Sequence, residues 1–267
     1  MNAPADLAAW LREGPFALAM SSGFFGFFAH CGMLMALTEH GLEPERLSGS
    51  SAGALIAGLY GAGMTPADIA RVLRELRRED FWDPFPGPGL LRGRRFRAIL
   101  EHHLPVTTLE QCRRPVSVSV CDVLGWRTRA LNQGPLATAL HASCSVPLMF
   151  HPVWINGRPY IDGGVTDRAG VAGLPVGTRI LHHHLGSRSP WRRPGSPALR
   201  PPQRAGLISF TIQGLRRAGP SRMHYGLLAL DQARAATHAA LEMPLDDVPV
   251  AQAGHILEIA QTKEKGP

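Results

Sequence analysis

Residues 46–63 read RLSGSSAGALIAGLYGAG, and Gly49-Ser50-Ser51-Ala52-Gly53 within them satisfies G-x-S-x-G. A serine on a sharp strand-to-helix turn has strained backbone angles. Side chains two residues to either side would collide, so the turn demands glycine there. Such a turn exposes the hydroxyl at the N-terminus of the next helix, where the Ala52 N–H is available to a developing oxyanion. The bland alternative is a glycine-rich link into a buried helix, and in a chain with 29 glycines the pattern arises readily by chance. Context favours the turn: "ERLSGS" reads as a short strand, and Ala52–Gly61 as an apolar helix.

A similar junction lies upstream. "FALAM" (16–20) reads as a buried strand, "SSGFFGFF" (21–28) follows, and a helix apolar nearly all round runs over Gly26–His40, stopped by Gly41. Gly23 and Gly26 permit a tight turn whose N–H groups face an anion, or they merely let strand and helix pack closely. A dinucleotide fingerprint would need glycine at Ser21 and an acidic residue about 20 positions on. Glu43 falls in a turn beyond the helix, which argues against a nucleotide site.

Downstream, Thr65-Pro66 caps a third helix with Ile69, Val72, Leu73 and Leu76 on one face. "FWDPFPGPGLLRG" (81–93) leads to a helix near Arg94–His103, and Thr108 with Gln111 forms a capping box. Val116, Val118 and Val120 alternate with serines as a strand, with Arg127–Leu131 as its neighbour; Pro135 opens a helix of small residues. In "PVWINGRPYI" (152–161), Asn156-Gly157 predicts a two-residue type I′ hairpin that delivers the chain to Asp162-Gly163-Gly164. Asp-Gly-Gly alone is ordinary turn chemistry; the hairpin is what aims the carboxylate. Further strands are expected at Arg179–Leu185 and Leu207–Ile212, with a helix near Leu227–Leu241. Strand–helix alternation over 16–80 predicts a mostly parallel sheet covered by helices.

The 267 residues, 45% hydrophobic and 18% charged, suffice for one sizeable core. No apolar run reaches the ~18 residues of a membrane span, and the N-terminus lacks the basic start and apolar stretch of a secretory signal, so neither is expected. Cys31, Cys112, Cys121 and Cys144 show no CxxC or zinc spacing and read as reduced thiols. A net charge of +7 favours anionic partners, including phospholipid headgroups and nucleic acid. The arginines are dispersed along helix faces and a Pro/Arg-rich segment, so a solvated surface is the simpler reading and nucleic acid is not an expected partner.

Four pieces occur in the order found in patatin-like phospholipases: LAMSSGFFGFFAHCGMLMAL, GSSAGAL, PVSVSVCDVLGW and HASCSVPLMFHPVWINGRPYIDGG. The chain resembles that family over residues 15–185. The resemblance implies a three-layer α/β/α fold with a mostly parallel central sheet, and acyl-ester hydrolysis through a Ser-Asp dyad and an acyl-enzyme. No metal and no cofactor are implied. By position, Ser51 resembles the nucleophile and Asp162 the general base. Gly23 and Ala52 would supply oxyanion N–H groups, and Gly49, Gly53, Gly26, Gly163 and Gly164 complete the motifs. The expected organisation is a core over 15–185, a flexible Pro/Arg-rich loop over 186–206, a strand and helix over 207–243 completing the domain, and an unassigned tail over 244–267. The expected partner is a lipid or ester substrate, in the cytoplasm, with peripheral contact at a membrane surface.

Departures from the family loop accompany these expectations. Ser21 and Ser22 stand where the family commonly has glycines, Phe25 stands where it has a basic residue, and one extra residue separates Gly26 from Gly32. Lack of a cation at Phe25 favours neutral lipids or simple esters over phospholipids. An aspartate titrating near ~3.9 is a feeble base, which draws attention to His182-His183-His184, since α/β-hydrolases run Ser…Asp…His. His182 and His184 would share a strand face, so a metal site is a further reading and ordinary strand histidines the blander one. Phe24, Phe25, Phe27 and Phe28 read as an acyl groove, an interfacial surface or plain packing. Residues 81–91 read as a lid, a membrane-contact loop or a surface loop. The contrasting functional class is a catalytically silent lipid- or protein-binding domain that keeps the fold. The irregular SSGFFG loop motivates it, and intact Ser51 and Asp162 count against it.

Overall fold

The computed structural model describes residues 6–186, 193, 195–245 and 255–260. In chain order the elements are α1 (Leu7–Arg12), β1 (Ala17–Met20), α2 (Phe27–Glu39), β2 (Arg46–Ser50), α3 (Ala52–Gly61) and α4 (Pro66–Glu75). Next come β3 (Gly89–Leu91), α5 (Arg94–His103), β4 (Val116–Asp122), β5 (Arg127–Leu131), α6 (Leu136–Ser143), β6 (Leu148–Phe150), β7 (Val153–Ile155) and β8 (Arg158–Asp162). The chain continues through β9 (Ile180–His184), β10 (Leu207–Gln213), α7 (His224–Leu241) and β11 (His255–Ala260).

Strands β11-β10-β9-β1-β2-β4 are parallel neighbours, and helices cover the sheet in a three-layer α/β/α arrangement. Sandwiching explains the composition. Every residue of β1, β4 and β9 is buried, so these strands lack an exposed polar face: β1 is wholly apolar, β4 alternates valine with small serines, and the three histidines of β9 are enclosed. The antiparallel edge strand β5 carries Arg127 and Arg129 and is largely exposed, which protects a free edge from unwanted pairing. Helix α2 is buried around most of its circumference and meets α7 so closely that a Cβ on Gly32 would lie 2.0 Å from the Leu230 carbonyl oxygen.

The helices and strands expected from the sequence lie within a few residues of their predicted bounds. Thr65 caps α4 by accepting the Asp68 N–H at 3.1 Å. Helix α7 begins three residues early, at His224. Several elements had no legible signal. The six residues of α1 are too short to nucleate alone and are held by the Asp6 cap and by burial of Leu7, Trp10 and Leu11. Strands β3 and β6 are three residues each, too short for a period, and pair with one another in a separate small sheet. Strand β11 extends the main sheet from a segment expected to be unassigned tail. Much of the Pro/Arg-rich segment, residues 187–192 and 194, lies outside the described residues, as do 246–254 and 261–267.

Candidate active site

Strand β2 ends at Ser50 and α3 starts at Ala52, so Ser51 alone makes the reversal, at φ 51° and ψ −118°. That backbone region is costly for a residue with a Cβ, about 1–3 kcal/mol, and needs surrounding contacts to hold it. The contacts are there. A Cβ on Gly53 would sit 2.0 Å from the Met20 carbonyl oxygen, and one on Gly49 2.4 Å from the Gly53 carbonyl carbon. Both motif glycines are therefore imposed by backbone touching backbone. The Ser51 N–H donates to Ser143 Oγ at 2.9 Å, and Ser143 Oγ donates to the Ser119 carbonyl at 2.7 Å.

Strand β4 brings the second group in. Strand β5 occupies one edge of β4 over Val118–Asp122, so β2 and β8 must share the other. Along that edge Ser50 of β2 stands opposite Ser119, and Asp162 of β8 opposite the next residue, Val120. Two strands running in opposite directions thus end against adjacent residues of a third. The β7–β8 turn has φ 48° at Asn156 and 74° at Gly157, the two positive values of a type I′ hairpin.

Ser51 Oγ donates to Asp162 Oδ2 at 2.6 Å, while Asp162 Oδ1 accepts the Gly164 N–H at 2.7 Å. Burial raises the Asp162 carboxyl to about 6, against the opposing pull of the Ser51 and Gly164 hydrogen bonds and the Arg168 charge. A buried carboxylate so shifted is a far better proton acceptor near neutral pH than an exposed one.

The loop after β1 is anchored by the Ser21 hydroxyl and by the Ser22 backbone. Ser21 Oγ accepts the Leu185 N–H at 2.8 Å, and the Ser22 N–H donates to the Arg168 carbonyl at 2.7 Å. His30 Nε2 lies 2.8 Å from the Ser21 carbonyl, which can only accept, so this nitrogen carries the proton. The Gly23 N–H has no acceptor among the described residues, and Gly23 borders the same cavity as Ser51 and Ala52. Ala52 opens α3, where no preceding turn supplies a carbonyl for its N–H.

The cavity over Ser51 is almost wholly apolar. Phe25 and Phe27 line one side, Leu73 and Leu100 another. Phe81, Trp82, Leu90 and Leu91 of the Pro/Gly/aromatic stretch build a further wall. The phenylalanine cluster divides its labour: Phe28 is core, Phe25 and Phe27 line the cavity, and Phe24 stands at its rim, 51% exposed.

A family model described as patatin-like phospholipase matches residues 18–174. The chain belongs to the patatin-like phospholipase family. Among curated relatives, NTE family proteins described as uncharacterized, from Mycobacterium tuberculosis and Mycobacterium bovis, are 30% identical over 204 residues, covering 74% of this chain. The match spans 57% of those relatives' length. Among solved structures, VipD from Legionella pneumophila superposes with a TM-score of 0.57 at 15% identity, over 79% of this chain and 52% of that one, a likeness of fold.

In this patatin-like chain the histidine readings find no support. His182 Nδ1 bonds Ser209 Oγ at 3.0 Å, and burial pushes the ring down to about 3. His183 pairs with His30 at 2.8 Å between Nδ1 atoms, and His184 Nε2 meets the Leu199 carbonyl at 3.1 Å. Among the described residues no hydrogen bond joins these rings to Ser51 or Asp162, and no cluster of three or more ligating side chains could hold a metal ion. All four cysteines are free thiols. Ser143 and His30, which steady the patatin-like site, carry no sequence signal of their role, because neither bond follows from local spacing.

Proposed function

We propose that the chain is a serine acyl-ester hydrolase acting on lipids through a Ser51-Asp162 dyad. The observation that carries the reading is the 2.6 Å hydrogen bond from Ser51 Oγ to Asp162 Oδ2 beside an apolar cavity. Ser51 Oγ attacks the ester carbonyl as Asp162 takes its proton, and the N–H groups of Ala52 and Gly23 receive the negative charge on the carbonyl oxygen. Collapse expels the alcohol, which leaves with the proton from Asp162. A water then attacks the acyl-enzyme, gives its proton to Asp162 and releases the fatty acid and the regenerated serine. The acyl chain occupies the apolar cavity.

No helix among the described residues is long and apolar enough to cross a membrane. Phe24 and Leu90, at the cavity and each about half exposed (51% and 52%), form an apolar rim suited to peripheral contact with a lipid surface.

The test is hydrolysis of a chain-length series of p-nitrophenyl esters, a phospholipid and a triglyceride by the wild type, Ser51→Ala, Asp162→Asn and His182→Ala. The dyad requires activity lost by about three orders of magnitude or more in the first two variants and retained in the third. Absence of turnover by folded wild type would leave the silent binding domain.

A further inference from the structure

His30 holds both arms of the loop that carries Gly23. Two residues before Gly23, the Ser21 carbonyl accepts a hydrogen bond from His30 Nε2 at 2.8 Å. Three residues after it, the Gly26 N–H donates to the Gly23 carbonyl at 2.8 Å, and the Gly26 carbonyl accepts the His30 N–H at 3.1 Å. The loop is thus closed on one residue, by its ring on one arm and by its backbone on the other. Gly23, whose N–H has no acceptor among the described residues, is held between the two.

A second fully buried histidine stands behind the first. His30 Nδ1 lies 2.8 Å from His183 Nδ1, the rings meeting edge to face with centroids 4.7 Å apart. Burial pushes His30 down to about 4 and His183 well below the usual imidazole range, so both rings are neutral near pH 7. A neutral ring has one donor and one acceptor. With Nε2 donating to Ser21, His30 Nδ1 accepts, and His183 Nδ1 must donate. His183 is itself fixed: its ring stacks on Phe210 at 5.5 Å, and its carbonyl accepts the Ser21 N–H at 3.1 Å. His183 therefore holds Ser21 twice, once directly and once through His30. Alternation along β9 sends His182 and His184 to the other face, where they meet Ser209 and the Leu199 carbonyl instead.

We infer that His30 and His183 are positioning residues: the His183 Nδ1–H fixes the His30 ring, and the His30 Nε2–H fixes the Ser21 carbonyl, so that the Gly23 N–H stays directed at the carbonyl oxygen of a bound ester. The inference rests on the hydrolase reading only for what that N–H receives.

Heteronuclear NMR of the imidazole nitrogens in the wild type reads the tautomers. His30 protonated at Nε2 and His183 at Nδ1 are expected, and the reverse in either ring overturns the pair. His30→Leu removes the donor, whereas His30→Gln can place an amide N–H where Nε2 stood; His183→Leu and His183→Asn make the same contrast at Nδ1. In both leucine variants the Gly23 amide is expected to exchange with solvent about tenfold or more faster, while amides in the middle of α7 keep their rates. In both, kcat toward a p-nitrophenyl ester is expected to fall about tenfold or more with KM within about twofold, since a displaced oxyanion donor is felt in the transition state. The amide variants are expected to recover most of the loss. Gln and Asn no better than Leu, kcat and KM failing together, or an unchanged Gly23 amide would each overturn the inference and leave two packed core histidines. The tautomers are read without mutation, so refutation does not depend on a variant folding. A wild type that cleaves no ester but shows the expected tautomers and Gly23 exchange would sink the hydrolase reading and leave the positioning pair standing.

Discussion

The Ser143 hydroxyl accepts the backbone N–H of Ser51 at 2.9 Å and donates to the Ser119 carbonyl at 2.7 Å. One side chain thereby ties the strained elbow to the strand whose next residue, Val120, registers Asp162. Ser143→Ala leaves a buried carbonyl and the elbow N–H without this partner. It should cost about 1–3 kcal/mol in urea unfolding and lower kcat as Ser51 loosens. Unchanged stability and unchanged kcat would show that the tie is dispensable.

The raised Asp162 carboxyl dictates a pH profile. As the proposed base it must be ionised, so kcat/KM should climb with pH and reach half its plateau near about 6. The same group acts on stability with the opposite sense. Its folded value lies above the unfolded one, 3.8 against about 6, so the folded state holds more protons across that window. Its contribution is fully present below the unfolded value and is lost as pH rises through the folded one, a loss of order 3 kcal/mol by pH 7. Asp162→Asn should therefore unfold at a higher temperature than wild type at pH 7, with the difference vanishing near pH 4. A variant less stable at both would contradict the assignment.

Gly53 and Gly157 are both glycine for backbone reasons, but different ones. A Cβ at Gly53 would meet the Met20 carbonyl at 2.0 Å, and backbone cannot swing aside as a side chain can. Gly53→Ala should cost about 1–3 kcal/mol or more and displace the Ser51 elbow, cutting activity with it. At Gly157 a Cβ meets nothing within 4 Å, and only φ 74° opposes it. Gly157→Ala should cost about 1–2 kcal/mol and leave more activity. Thermal melts and ester assays on the two variants check the contrast.

Leu73 and Leu100 are buried residues lining the apolar cavity. Leu73→Trp or Leu100→Trp should shorten the ester chain-length optimum, lowering kcat/KM about tenfold or more for the longest ester while sparing the shortest. A parallel loss for every chain length would instead mean that the substitution disturbs the fold.

The parts of the site legible from sequence are those whose geometry is encoded within a few residues. Ser51 needs positive φ between two glycines, and Asn156-Gly157 writes its own turn. What was missed depends on residues distant in the chain. Ser21 looks like a defect in a glycine loop, yet its hydroxyl anchors the Leu185 N–H from a distant strand end. For residues 81–91 the sequence leaves a lid, a membrane-contact loop and a surface loop open, and the fold makes Phe81, Trp82, Leu90 and Leu91 a cavity wall.

By itself the sequence determined the elbow, the hairpin, the parallel alternation of strands and helices, and the order of the motifs. All are local conformational preferences or hydrophobic patterns, which neighbouring residues dictate wherever the chain goes. Only the tertiary structure decided that Ser51 and Asp162 meet, because that depends on two strands ending on one edge of β4 at adjacent residues. It also decided the state of Asp162, since burial, not residue type, lifts a carboxyl from 3.8 to about 6.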